Sequence, residues 1–310
     1  MFAQFSSSGA FSIRAIFKSD IIVSMRWWDP VITLMKIIKP ELITVFIADG
    51  HFSILNLNKK SNKRRGKNIF ESNYCDIYLL PDLISLQAVA KYPGKKYLYR
   101  PDYWDNPRIH FSSEYKEHYD IIFVYGNDPF FDYEYRKKLL ALVNGIKEKF
   151  CNQYRICHVV PRGRNGKIIL KELPYTENIF IGIGSENLVL SPNSIYLCTP
   201  STAVWKLLSS SARIAIIDIY RETSCFHQSI LRIRKPDDCA KVLSKDKQYW
   251  MELRKKVSDV LGDDPIPLAI DSSLKAFREG NVFNTSGWLC MARYNLRDYF
   301  SSIWSVMSVK

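Results

Sequence analysis

Three short segments of the chain hold polar residues where they could do chemistry. Asp49 and Gly50 follow an apolar run, His158 lies in a second one, and Ser201 and Thr202 precede a third that has helical spacing. A carboxylate or an imidazole can take a proton from a hydroxyl, and the N–H groups at the start of a helix can hold a phosphate. Singly, such residues more often form a turn, a core histidine or a helix cap, so their order along the chain matters more than their types.

The elements that must position these segments are short β-strands and helices in alternation. β-branched apolar runs predict buried strands at residues 41–47, 76–80, 119–125, 154–160, 179–183, 194–197 and 213–219. Apolar residues at three- and four-residue spacing predict helices at 81–91, 132–150 and 203–208. Alternation of this kind predicts an α/β protein with parallel sheets, in which ligands bind at the carboxyl ends of the strands.

The length of the chain predicts two domains. At 310 residues it exceeds one ordinary core and suits two Rossmann-like α/β units. The turn signals around Gly126 and Asn127 place the expected boundary there, with an acceptor-side domain at 1–128 and a nucleotide-sugar-binding domain at 129–285. Residues 286–310 have a helical apolar pattern, which predicts a C-terminal helix that either packs on the body or lies in a membrane interface.

The charge of the chain predicts an anionic partner. Its formal net charge is +13, and the densest basic cluster comprises Lys59, Lys60, Lys63, Arg64, Arg65 and Lys67. This cluster is either a solvated linker or a surface that attracts an anionic acceptor or a membrane. No aromatic residues are interleaved with it, which disfavours nucleic-acid binding.

Metal, cofactor and secretion signals are weak or missing in the sequence. The seven cysteines form no CxxC pair, and the adjacent carboxylates Asp237-Asp238 and Asp263-Asp264 stand beside prolines as turn residues do. No apolar run is long enough to span a bilayer. We therefore expect a cytoplasmic protein with reduced thiols, without a metal or another cofactor.

Three motifs in a fixed order carry a resemblance to a known family. The chain has FIADGHFSIL, then YRICHVVPRGR, then NSIYLCTPSTAVWKLL. It resembles the bacterial sialyltransferases and polysialyltransferases, which have an acidic-acidic-Gly motif, a His-Pro motif and a Ser-Ser/Thr motif. The likeness covers residues 40–220 and includes the Tyr-Gly-Asn-Asp-Pro segment at 125–129. It implies a GT-B-like fold with two Rossmann-like domains.

The resemblance also implies roles for individual residues. In that family an acidic residue takes the proton of the acceptor hydroxyl, which would be Asp49 here, and the His-Pro histidine contacts the CMP phosphate, for which His158 is the candidate. The other positions implied to bind the nucleotide are Gly126, Asn127, Pro161, Arg162, Ser201 and Thr202.

Two motif positions depart from the family pattern. Ala48 occupies the first acidic position, and Val160 stands where the histidine is expected. His158 lies two residues earlier on the same strand face, roughly 6 to 7 Å further back. Arg162 or Arg164 could neutralise a phosphate instead, as a guanidinium group does well.

The function that the resemblance implies is an inverting, metal-independent transfer of an acidic sugar, sialic acid, from a CMP donor. The acceptor would be an anionic or membrane-linked bacterial glycan, a lipooligosaccharide or capsule precursor, at the cytosolic face of the inner membrane with peripheral contact to it. One alternative keeps the fold and changes the donor to CMP-Kdo or another nucleotide sugar. The other is a non-catalytic binding protein, which the apolar Ala48 and Val160 favour.

Overall fold

The structure of the protein is a computed structural model. It describes residues 19–24, 39–48, 75–90, 94–106, 119–126, 133–162, 164–173, 178–182, 191, 193–210, 212–219 and 228–279. Within these ranges, the chain forms ten strands and eight helices, which alternate in its central part.

The first sheet has four parallel strands in the order β1-β2-β3-β4. They are β1 (Ile21–Ser24), β2 (Ile43–Ile47), β3 (Ile77–Leu80) and β4 (Lys95–Leu98), with helix α1 (Leu83–Val89) between the last two. Helix α1 begins after Asp82, whose carboxylate accepts a hydrogen bond from the Ser85 N–H at 2.8 Å. Such a cap satisfies one of the free N–H groups of the first turn.

The second sheet has six parallel strands in the order β10-β9-β8-β5-β6-β7. They are β5 (Ile121–Val124), β6 (Ile156–Val160), β7 (Ile179–Ile181), β8 (Ile195–Cys198), β9 (Arg213–Ile217) and β10 (Leu231–Ile233). The helices of this part of the chain are α2 (Asp102–Asp105), α3 (Tyr133–Phe150), α4 (Arg164–Glu172), α5 (Thr202–Ser209), α6 (Asp238–Leu243) and α7 (Lys247–Ser258). The last described helix, α8 (Ile266–Glu279), packs against β3 and β4 of the first sheet.

Both sheets are buried on their two faces, which explains the continuous apolar runs in the sequence. In the first sheet, alternate residues of β2 and β3 pack in two clusters. One cluster contains Val45, Ile47, Ile77 and Leu79 together with Ala269, Leu274 and Phe277 of α8. The other contains Phe46, Ala48, Tyr78 and Leu80 together with Val89 of α1.

The strand order of the second sheet has a topological switch point. From β5 the chain builds outward to β6 and β7 on one side, and from β8 it builds to β9 and β10 on the other. Strands β5 and β8 are therefore neighbours, with their following loops leaving toward opposite sides. This is the doubly wound order, in which a crevice opens at the carboxyl ends of the two central strands.

The expected α/β class with two parallel, Rossmann-like sheets is confirmed. Among the described residues, the chain forms two compact units: residues up to 100 together with 261–279, and residues 101–260. These bounds differ from the division expected at residue 128, because β5 pairs with β6 and β8 and so belongs to the second sheet. The expected C-terminal helix at 286–310 lies outside the described residues.

No helix in the described part of the chain is both long and apolar enough to cross a membrane.

Candidate functional site

The switch point of the second sheet brings together two of the predicted site residues, Gly126 and Ser201. The Thr199 N–H donates to the carbonyl of Val124 at 2.9 Å, which ties the end of β8 to the end of β5. Two residues beyond the end of β5, the Gly126 N–H donates to the Thr199 Oγ1 at 2.5 Å. The loops that follow the two strands are thus joined at their first residues.

Gly126 is required here by close packing. A β-carbon built on it would lie 2.8 Å from the Cβ of Ser201, 3.1 Å from the Thr199 Oγ1 and 3.2 Å from the carbonyl oxygen of Pro200. Any other residue would push these loops apart. The glycine lets the end of β5 approach the start of α5, which follows Ser201 directly.

Ser201 precedes α5 without capping it. Its backbone is extended, with φ −165° and ψ 168°, as expected for a residue in front of a helix, but its side chain accepts no hydrogen bond from the helix. The Oγ of Ser201 is buried and has no partner among the described residues. By contrast, Asp246 in front of α7 accepts from the Tyr249 N–H at 2.8 Å. The Ser201 hydroxyl and the first N–H groups of α5 are therefore suited to hold an anion.

His158 lies inside the second sheet, near the carboxyl end of β6. It is 1% exposed, and its ring stacks on Phe123 and Tyr125 with centroid distances of 5.1 and 5.9 Å. The Nδ1 of His158 is 2.9 Å from the Tyr125 Oη. Burial, with a smaller contribution from the charge of Lys147, lowers the pKa of His158 to about 3. The imidazole is therefore neutral at physiological pH and is held in the core next to Tyr125, the residue before Gly126.

Exposure to solvent increases along the chain from the end of β6. Val160 is buried, Pro161 is half-buried and Arg162 is exposed. A β-carbon built on Gly182, which has a φ of +82°, would lie 3.3 Å from the Arg162 Nε, so the guanidinium side chain runs over this glycine. Arg162 is at the carboxyl edge of the second sheet, on the β6 side of the switch point.

Residues 161–166, with the sequence PRGRNG, have the composition of a loop, but the loop in the structure is shorter. Helix α4 begins at Arg164, so Gly166 lies in its first turn. A β-carbon on Gly166 would lie 1.8 Å from the carbonyl oxygen of Pro161. The glycine that looks like a turn residue in the sequence instead lets the helix start close against the end of β6.

In the first unit, the described segment that contains β2 ends at Ala48, the neighbour of the predicted Asp49. Ala48 is buried at the end of β2, where its N–H donates to the carbonyl of Leu79 at 3.0 Å. The Tyr99 Oη, beyond the end of β4, donates to the carbonyl of Ala48 at 2.6 Å. Three parts of this sheet's carboxyl edge are thereby held together directly before the predicted Asp49.

Three predicted site residues are not described at the level of their side chains. Asp49 and Asn127 lie outside the described residues, and only the backbone of Thr202 is described. Within the part of the chain that is described, no three His, Cys, Asp or Glu side chains cluster as metal ligands would.

Sequence reasoning missed two polar groups at the same edge of the second sheet. Thr199 accepts from the Gly126 N–H, and Asp218, after β9, is paired with Arg234, after β10. The Arg234 Nε and Nη2 donate to the Asp218 Oδ2 at 2.9 and 2.7 Å. The available signal was a single carboxylate at the end of the apolar run RIAIIDI.

Comparison with known proteins shows the fold. No protein-family profile matches the sequence, and no curated protein matches it. Among solved structures, the chain is similar to S. aureus MnaA in complex with UDP, with 12% identity, coverage of 81% of this chain and 72% of that one, and a TM-score of 0.52. It is also similar to the spinosyn rhamnosyltransferase SpnG in complex with thymidine diphosphate, with 14% identity, coverage of 85% and 75%, and a TM-score of 0.50. These likenesses show the two-domain GT-B fold that the motifs imply.

Proposed function

We propose that the protein is a glycosyltransferase that moves an acidic sugar, sialic acid, from a CMP donor to a bacterial surface glycan. The observation that carries this proposal is the switch point of the second sheet. There, Gly126 permits a close approach to Ser201, whose buried hydroxyl has no partner among the described residues and stands at the start of α5. A hydroxyl and the N–H groups at the start of a helix, at the switch point of a doubly wound sheet, are donors of the kind that bind a nucleotide phosphate.

The site supplies what the departing nucleotide needs. When the bond between the sugar and the phosphate breaks, negative charge grows on the phosphate oxygen, and fixed donors there lower the barrier. The Ser201 hydroxyl and the N–H groups that begin α5 are such donors, and the exposed Arg162 can add a positive charge from the β6 side. Asp49 remains our candidate for the base that takes the proton of the acceptor hydroxyl.

The reaction that follows is a single displacement. The acceptor oxygen forms a bond to the anomeric carbon of the sugar on the face opposite to the phosphate, its proton goes to Asp49, and CMP leaves. The configuration at the anomeric carbon is therefore inverted. We propose that His158, neutral and buried, contributes by positioning Tyr125 and the adjacent Gly126 rather than by contacting the phosphate.

Two lines of support point to the class of donor. The first is the order of the three motifs, which favours CMP and an acidic sugar, with CMP-Kdo as the alternative within the same fold. The second is that the two structures of similar fold were determined with UDP and thymidine diphosphate, both of them pyrimidine nucleotides. The positive net charge of +13 suits a negatively charged glycan acceptor and peripheral contact with an anionic membrane.

A second candidate function is nucleotide binding without catalysis. It is favoured by the apolar residues at two motif positions, since Ala48 and Val160 are both buried and neither can transfer a proton. His158 does not replace the missing histidine in the manner of an exposed imidazole, because it is 1% exposed. The two candidate functions share the same nucleotide site, and only the first of them includes turnover of the donor.

The experiment that tests the proposal is thermal unfolding with CMP, UDP, GDP and ADP, followed by turnover assays with CMP-sialic acid and CMP-Kdo. A ligand at 100 times its dissociation constant adds about 2.7 kcal/mol to the free energy of unfolding. We expect the largest rise in melting temperature with CMP, and release of CMP in the assay. Binding of CMP without release from either donor would favour the non-catalytic candidate, and no stabilisation by any nucleotide would overturn the proposal.

A further inference from the structure

Asp218 is a buried carboxylate, and only one of its two oxygens has a hydrogen-bond partner among the described residues. It follows β9, is 2% exposed, and receives both hydrogen bonds from Arg234 on the same oxygen, Oδ2. Its Oδ1 is buried and has no partner among the described residues. A buried acceptor without a donor is unfavourable for the folded protein, so such an atom calls for an explanation.

This unsatisfied oxygen stands at the same edge as the unsatisfied hydroxyl of Ser201. Strands β8 and β9 are neighbours, with Cys198 paired to Ile216, so Ser201 and Asp218 come three and two residues beyond a shared register point. Neighbouring strands are about 4.8 Å apart. Two buried oxygens that have no partner in the described part of the chain therefore follow adjacent strands of the sheet, on one side of the switch point.

The charge around Asp218 decides what it can bind. The Arg234 guanidinium, whose side chain is 48% exposed, already neutralises the carboxylate, so a second cation has little to gain there. An anion would meet the negative oxygen directly. The remaining class of ligand is a neutral group that donates hydrogen bonds. A hydrogen bond from a hydroxyl to a carboxylate is stronger than one between two neutral groups.

We propose that Asp218 accepts hydrogen bonds from the pentose hydroxyls of the nucleotide and so makes the site selective for ribonucleotides over deoxyribonucleotides. The inference rests on the proposed function, in which Ser201 holds the phosphate, because the pentose is the group attached next to that phosphate. In many dinucleotide-binding folds the carboxylate for the ribose follows the second strand. In this chain the second strand of the sheet is β6, which is followed by Pro161 and Arg162 and by no carboxylate there. Asp218 instead follows β9, on the other side of the switch point.

The first test uses the unchanged protein. Titration calorimetry would compare CMP with 2′-deoxy-CMP and 3′-deoxy-CMP, and UDP with its two deoxy forms if UDP proves the better ligand. Losing a hydrogen bond to a charged group should weaken binding about tenfold or more for at least one deoxy form. Equal affinities for all three would overturn the role of Asp218 and leave the nucleotide site standing. Failure of every nucleotide to bind would overturn the proposed function and this inference with it.

The second test uses Asp218→Asn, with Asp120→Asn as the matched control. Asp120 precedes β5 at the opposite edge of the same sheet, where its Oδ2 accepts from the Arg155 N–H at 2.8 Å. We expect Asp218→Asn to reduce the preference for CMP over its deoxy forms from about tenfold to about twofold, because the amide oxygen carries no charge. Asp120→Asn should keep the preference. A preference unchanged in a folded Asp218→Asn protein would overturn the inference, and if that variant does not fold, the comparison on the unchanged protein still decides.

Discussion

The ends of β6 and β8 lie at the same edge of one sheet and use their polar residues in opposite ways. At β6 the polar residue is inside the strand, where His158 is stacked between aromatic rings and kept neutral. At β8 the polar residues come after the strand, where Thr199 holds the Gly126 N–H and the Ser201 hydroxyl has no partner among the described residues. A shift of a few residues along a strand thus separates a core residue from one that we propose binds the phosphate.

This difference shows how a motif that departs from the sialyltransferase pattern can be interpreted. His158 has the right type but lies two residues before the expected position, which Val160 fills. Because the strand end is where side chains reach the crevice, a polar residue further back meets the core. The β8 end keeps both the residue types and the position, and we place the phosphate there.

The largest expected effect is that of Gly126→Ala, which would break the contact between the β5 and β8 ends. The new β-carbon would lie 2.8 Å from the Cβ of Ser201. We expect the free energy of unfolding to fall by about 1–3 kcal/mol, and nucleotide affinity to fall about tenfold or more. Urea unfolding and titration calorimetry would measure the two losses.

The matched control for that change is Gly145→Ala in α3. Its β-carbon would lie 2.7 Å from the Cγ of Pro236, a similar degree of crowding at a place with no proposed ligand. It should change stability and leave nucleotide affinity within a factor of about two. If the two variants lost affinity equally, the close approach at Gly126 would not be specific to the nucleotide.

The next largest effect concerns the pH dependence of His158. Its pKa is about 3 in the folded protein and about 6.5 when unfolded, so its neutral burial stabilises the fold fully above pH 6.5, and the stability is lost as the pH falls. For His158→Phe this contribution is absent. Between pH 6.5 and pH 5, the free energy of unfolding of the unchanged protein should therefore fall by about 2 kcal/mol relative to that of His158→Phe. A difference constant with pH would mean that the imidazole titrates normally.

A smaller effect is expected for Thr199→Val, which sharpens the account of the β8 end. The valine keeps the shape of the side chain but cannot accept the Gly126 N–H bond. We expect a loss of about 1.5 kcal/mol in the free energy of unfolding, together with weaker CMP binding. Thr44→Val, which removes a buried hydroxyl bonded to Asp76 in the first sheet, should reduce stability without weakening CMP binding. Weakened binding in both variants would contradict a site confined to the second sheet.

The smallest effect is that of Arg162→Ala at the β6 end. Because Arg162 is exposed, its attraction for a phosphate is screened and should contribute about 0.5 kcal/mol, or roughly twofold in affinity. The loss should shrink as salt is raised. Lys171→Ala, an exposed cation at the end of α4, serves as the control and should leave the affinity unchanged. A loss much larger than tenfold in Arg162→Ala would show that the β6 end carries the phosphate.

Much of the fold could be predicted because its central strands are buried on both faces. The runs that became β2, β5, β6, β8 and β9 are predominantly apolar, as expected for strands covered on two sides. Strand β4 gave no such signal, since its KKYL sequence carries two lysines. In the structure, Lys95 lies over the Phe277 ring at 5.7 Å and Lys96 over the Tyr78 ring at 5.9 Å, so their stems pack while their charges remain near the surface.

The candidate site could be predicted only in part, because its contacts join residues that are far apart in sequence. Gly126 and Ser201 were identified from the resemblance, but the hydrogen bond from the Gly126 N–H to Thr199, which joins their two loops, spans 73 residues. Asp218 was hidden in an apolar run, and its partner Arg234 comes 16 residues later. The position of His158 could be predicted, whereas its low pKa depends on rings and burial that only the fold supplies.

The most direct test of the central claim compares CMP with cytidine on the unchanged protein and on Ser201→Ala. The two ligands differ only by the phosphate that we place at Ser201 and the start of α5. We predict that CMP binds the unchanged protein about tenfold or more tightly than cytidine, and that Ser201→Ala reduces this ratio by about a factor of five while cytidine binding stays the same. If CMP and cytidine bound equally well, or if Ser201→Ala left their ratio unchanged, the switch point of the second sheet would not be the phosphate site.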